Sequence, residues 1–156
     1  IGLGACKEKY VHVGSNWNAL HKLNSPEDSF RVSVSGRYEA KLGDDLFFKV
    51  TSEKSGRLWV VQVDPDDNLT LLFPNEKMSD NAIFANNPLS VPAEDADWDI
   101  IASEPLGKSV VAFVVTTGDI HIGDVLSQGK NVFKTLQIIE KPGEWGIEKF
   151  VIDIEE

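Results

Sequence analysis

Residues 58–75 read Leu58-Trp59-Val60-Val61-Gln62-Val63-Asp64-Pro65-Asp66-Asp67-Asn68-Leu69-Thr70-Leu71-Leu72-Phe73-Pro74-Asn75. Along an extended chain Trp59, Val61 and Val63 point one way and Leu58 and Val60 the other, so both faces are largely apolar, as in a strand covered from two sides. Asp64-Pro65-Asp66-Asp67-Asn68 then turns the chain, because Pro presets φ while Asp and Asn bond to their own backbone and tolerate left-handed geometry. Leu69 to Phe73 returns as the second arm of a hairpin. Pro74-Asn75 ends it, since Pro cannot donate to a sheet ladder.

Outward from this hairpin the period of two recurs. Phe30, Val32 and Val34 alternate with Arg31, Ser33 and Ser35; Leu46, Phe48 and Val50 alternate with Phe47, Lys49 and Thr51 after a Gly43-Asp44-Asp45 turn. Val110 to Val115 is apolar on both faces and predicts a second central strand. Trp98, Ile100 and Ala102 make a strand stopped by Pro105-Leu106-Gly107, and Phe150, Ile152 and Ile154 alternate along a last strand from Ile147 to Ile154. Residues 76–97, with Asn81, Asn86, Asn87, Pro88 and Pro92, read as a long connection holding short strands at 82–85 and 89–91. Two stretches read as helix. One is 131–140, where Val132, Leu136 and Ile139 share a face before a Pro142-Gly143 stop; the other is 17–23, with Ser15 as its cap. Seven to nine short, mostly antiparallel strands with those two helices predict a mainly β fold, either a sandwich of immunoglobulin-like or transthyretin-like kind or an open barrel. No repeat or Gly/Ser linker divides it, so residues 10–156 are expected to form a single domain behind a signal remnant and lipid-anchor tether at 1–9.

The 156 residues carry 15 Lys or Arg against 25 Asp or Glu, a formal net charge of −10. A chain of this length buries roughly 70% of its unfolded surface, so neither a disulfide nor a metal is required for stability. The acidic balance repels phosphate backbones and anionic lipid, and no Lys/Arg cluster offsets it locally, which removes nucleic acid from the expected partners. No run approaches the ~18 apolar residues of a membrane helix.

Candidate chemistry is sparse. His12, His21 and His121 lie outside metal-ligand spacing of one another and of the single Cys. Asp64, Asp66 and Asn68 occupy the first three ligand positions of a calcium loop, but Leu69 stands where Gly is required and Asn75 where a bidentate Glu belongs. A solvated acidic turn is the reading that follows. His121 and Asp124 could be combined with a Ser only on paper, without a nucleophile elbow, and no phosphate-cradling glycine loop is present. No catalytic residue, metal or cofactor is therefore expected. The runner-up is a cell-wall or peptide hydrolase built around His121. Trp59 and Trp98 fall on apolar strand faces and are expected in the core, whereas Trp17 and Trp145 sit beside Asn and Gly in expected loops. Trp17, Trp145 and Asn75 are accordingly the candidates for binding contacts.

Leu3-Gly4-Ala5-Cys6, followed by Lys7-Glu8-Lys9, resembles the cleavage site of bacterial lipoprotein precursors. That resemblance implies a lipid on Cys6, membrane contact through that lipid alone, and, with Lys7 next, sorting to the periplasmic face of the outer membrane. The alternative for Cys6 is a buried thiol, the ordinary fate of a lone Cys, in a secreted or cytoplasmic protein. In the middle of the chain stand Leu42-Gly43-Asp44, Gly56-Arg57-Leu58-Trp59-Val60 with Asp64 and Asn68, Leu71-Leu72-Phe73-Pro74-Asn75, Asp80-Asn81, Val91-Pro92 and Glu104-Pro105-Leu106-Gly107. Together these resemble the bacterial domain of unknown function family 4384 over about residues 40 to 117. Arg57 departs from the aromatic residue usual after the glycine. The resemblance implies a non-catalytic accessory or binding module of a cell-envelope protein, with another envelope protein as partner, and carries over no catalytic residue. An anchoring subunit of an envelope or secretion assembly is a further alternative.

Overall fold

The computed structural model describes residues 14–130 and 142–156. The tether at 1–9 with Cys6, His12, and the helix expected at 131–140 lie outside the described residues. The described residues form eleven strands and two short helices. In chain order these are α1 (Ser15–Lys22), β1 (Val32–Ser35), β2 (Glu39–Lys41), β3 (Asp45–Leu46), β4 (Phe48–Ser52), β5 (Gly56–Val63) and β6 (Leu69–Phe73). There follow β7 (Ala82–Ile83), β8 (Leu89–Val91), β9 (Ile100–Ile101), β10 (Gly107–Thr116), α2 (Ile122–Lys130) and β11 (Trp145–Glu155).

A six-stranded sheet in the order β2-β11-β10-β5-β6, with β7 also on β5, is the frame; β1-β4-β8 and β3-β9 form two smaller sheets. Pairing is antiparallel throughout except between β2 and β11. The period of two in β5 and β10 sorts their side chains into two cores. Leu58, Val60, Val111, Phe113 and Val115 meet Val32, Phe48, Val50 and Val91 of the three-stranded sheet. Phe113 packs against Phe48 at 4.9 Å and Phe150 at 5.8 Å between ring centres. Trp59, Val61, Val63, Val110, Ala112 and Val114 face the other way, against Leu20 of α1 and Ile122 and Val125 of α2. The class is thus mainly β, as expected, but the finer architecture differs. One large sheet carries a smaller sheet on one face and helices on the other, and no sheet among the described residues closes into a barrel or a plain two-sheet sandwich.

Of the buried polar residues, Ser52, Asn81 and Thr116 are hydrogen-bonded within the fold. Asn81 donates from Nδ2 to the Leu58 carbonyl at 2.9 Å and accepts from the Leu58 N–H through its own carbonyl at 2.8 Å. Trp59 Nε1 donates to Thr116 Oγ1 at 2.9 Å. Gly56 permits a close approach of two strands, since a Cβ there would stand 2.3 Å from the Thr116 carbonyl oxygen.

Helix α1 is present, but Ser15 lies inside it and is not its cap. The cap position is Gly14, and the free N–H groups of Asn16 and Trp17 donate to the Asp67 carboxylate at 3.1 and 2.7 Å. A carboxylate opposite a helix N-terminus satisfies orphan donors and complements the dipole. At the other end Lys149 donates to the His21 carbonyl, and burial holds its ammonium below the ordinary value near 10.5. Helix α2 was not expected, because Gly123 and Gly129 dilute its propensity. It forms because Asp124 Oδ2 accepts the His121 N–H at 2.9 Å and because Ile122 and Val125 bury against the sheet.

The Asp67 contact makes a prediction about the hairpin turn. Asp67→Ala is expected to cost about 1–2 kcal/mol, lowering Tm by roughly 2–8 °C in thermal unfolding followed by circular dichroism. An unchanged Tm would show that the turn carboxylate does not hold α1.

Candidate functional site

The turn that caps α1 also bounds a groove. An open cavity of about 530 Å³ runs between β6 and β9 and reaches β10, with Leu46, Leu72, Ile100 and Ile154 among the apolar side chains that line it. Trp98 is half-buried at its wall, stacked on Phe73 with ring centres 6.1 Å apart and planes 8° from parallel. Leu71 and Ile101, at 44% and 49% exposure, stand at its edges.

The polar part of the lining is unusual for this face of the sheet. Ser109 and Gln62 occupy positions equivalent to Val111 and Val60 in the alternation, so they continue the apolar face into the groove. Ser109 is 2% exposed, yet neither its hydroxyl nor the Gln62 amide has a hydrogen-bond partner among the described residues. Both groups reach the solvent of the groove, so their hydrogen-bonding capacity is open to water or to a bound molecule. Around the mouth stand Asp64, Glu76, Asp99 and Glu104, with Lys77 as the cation of the lining.

The side chains singled out from the sequence are dispersed. Asp64 Oδ1 accepts the N–H groups of Asp66 and Asn68 at 2.9 and 3.0 Å, closing its own turn. Asp64 lines the groove, while Asp66 and Asn68 are exposed. Among the described residues no three His, Cys, Asp or Glu gather where they could hold a metal ion. Asn75 also lines the groove; its Oδ1 accepts from Lys77 and Met78 N–H and its Nδ2 donates to the Leu72 carbonyl at 3.1 Å, shaping the turn after β6. Trp17 is half-buried and donates from Nε1 to the Lys108 carbonyl at 3.0 Å. Trp145, expected in a loop, opens β11 and is 4% exposed in the core beneath the helices. Trp98, expected in the core, packs against it and also walls the groove.

His121 lies over Trp59 with ring centres 4.5 Å apart, and its Nδ1 accepts the Gly123 N–H at 3.4 Å. The Asp124 carboxylate takes the backbone of His121, and Ser127 Oγ donates to the Asp124 carbonyl, so these residues build the start of α2. Arg57, the departure from the family pattern, lays its guanidinium 5.6 Å from the Trp59 ring centre and donates to the Ile120 carbonyl at 3.1 Å. No described helix is long and apolar enough to cross a membrane.

Of the groove lining, Asn75 and Asp64 were singled out from the sequence, whereas Gln62 and Ser109 were missed. Gln62 and Ser109 each interrupt a strand that is otherwise apolar on that face, a signal that could have marked them.

Comparison with known proteins gives one family. A family model described as a domain of unknown function, DUF4384, matches residues 39–119, just over half of the chain. No curated protein and no solved structure matches. The matched segment runs from β2 to the approach of α2 and contains every lining residue of the groove except Ile154.

The unpartnered hydroxyl has a measurable consequence. Ser109→Ala is expected to leave stability unchanged or raise it by up to about 1 kcal/mol in urea unfolding, because the group removed makes no protein hydrogen bond. A loss above that size would mean that Ser109 bonds within the fold.

Proposed function

Because the chain belongs to the DUF4384 family, whose matched segment builds this groove, we propose that it is a non-catalytic accessory module of a bacterial cell-envelope protein that uses the groove to bind another envelope protein. The observation that carries the binding half is the groove itself: an apolar floor open to solvent, with Gln62 and Ser109 presenting hydrogen-bonding groups that the fold leaves unused. Ligand sites combine apolar walls with a few placed polar groups in this way. The residues around His121 support a reading without bond-making chemistry, since their contacts account for a helix start.

The envelope half rests on Leu3-Gly4-Ala5-Cys6. In this proposal residues 1–5 are the remnant of a removed signal, Cys6 becomes the first residue and bears the lipid, residues 7–9 lead on as the tether, and the domain from residue 10 onward stands on the periplasmic face of the outer membrane. Each half has its own readout. A photo-crosslinking side chain at Ile101, on the groove edge, is expected to trap an envelope protein in cells, whereas the same group at Phe84, exposed but outside the groove, is not. Equal adducts from both sites, or none from Ile101, would overturn the groove as the contact. Labelled palmitate is expected to enter the full-length precursor and to be lost with Cys6→Ala; no incorporation would overturn the anchor.

A further inference from the structure

Taking the groove as the contact surface, we propose that its occupant is an extended peptide segment of the partner that carries Lys or Arg side chains between apolar ones. Three observations converge on this chemistry, and the first is charge. Glu76, Asp99 and Glu104 at the mouth have no ion pair or hydrogen bond with any described residue. The cation of the lining, Lys77, is already turned to Asp97 at 3.7 Å. The mouth therefore presents uncompensated negative potential, which selects a cationic partner and hastens its encounter.

The second observation is the floor. Ser109, nearly fully buried, and Gln62 offer acceptor oxygens in the same lining as those carboxylates. An ammonium or guanidinium brings donors only, so a cationic side chain whose stem lies along the apolar walls and Trp98 would satisfy both the floor and the mouth.

The third observation is a sheet edge, unpaired among the described residues, that makes the occupant a peptide. β6 is the last described strand of its sheet, and its residues Leu69, Thr70 and Leu71 are exposed. The register shift between Val60 and Val61 places Leu72 as the extra residue of β6 at the far end, so Leu69 to Leu71 remain regularly paired to β5. That edge carries no charge and no Pro, the usual guards of an unpaired strand. Backbone groups exposed beside a groove that takes side chains are the two requirements for recognising an extended chain.

The test uses the whole protein and three probes: an acetylated, amidated peptide alternating Val or Leu with Lys, the same peptide with Glu for Lys, and acetyl-lysine amide. Titration calorimetry is expected to show the Lys peptide binding at least about tenfold more tightly than the other two, with affinity falling as salt rises. Asp99→Lys combined with Glu104→Lys, both exposed positions, is expected to reverse the preference between the two peptides without lowering Tm. Equal binding of the Glu peptide would overturn the cationic character, and equal binding of acetyl-lysine amide would overturn the extended chain. If neither peptide binds, the inference fails; the Ile101 crosslink then shows separately whether the groove still serves as a contact.

Discussion

The antiparallel pairing of β5 with β10 is the interaction on which the rest of the structure depends. Val60 stands opposite Phe113 and Val61 opposite Ala112 in the centre of the six-stranded sheet, and both strands are apolar on both faces. Burying each such side chain contributes about 1.5–3 kcal/mol, but only if both faces are covered. The smaller sheet and the two helices are what the covering requires. A strand pair with one wet face would have needed only one of these layers.

Covering the frame also determines where it stays open. The smaller sheet and the β3-β9 pair do not extend over the whole face, and at the end of β10 and β5 the alternation passes from Val111 and Val60 to Ser109 and Gln62. The groove occupies that uncovered end, beside the sheet's last strand. The acidic turn between β5 and β6 serves both sides of the molecule. Asp64 closes the turn and borders the groove, while Asp67 reaches the helix on the opposite face.

Elements whose cause is local were legible in the sequence. The β5-β6 hairpin follows from alternation and one Pro-Asp-Asp-Asn turn, and the buried faces of β4, β10 and β11 follow from the same period. What escaped was set at long range. Asp67 caps a helix some fifty residues earlier in the chain, which displaced Ser15 from the role that spacing assigned it. Trp145 is buried because β11 begins two residues after the Pro142-Gly143 pair, so the loop expected around it is shorter than the composition implied. Helix α2 was obscured by its glycines, although Asp124 and the Ile122–Val125 spacing carried its signature. The groove was invisible for a further reason: two polar residues acquire meaning only when β10 lies beside β5 and brings them to one place.

The central claim is that one doubly covered strand pair holds the frame while the β6 edge beside the groove stays open, and amide hydrogen exchange measured residue by residue tests it directly. The account predicts that the interior amides of β5 and β10, Val60 to Gln62 and Val111 to Val114, exchange last and together, with an opening free energy equal to that of global unfolding, and that outward-facing β6 amides exchange far sooner. Independent opening of β5 and β10, or β6 edge amides protected as strongly as theirs, would contradict it.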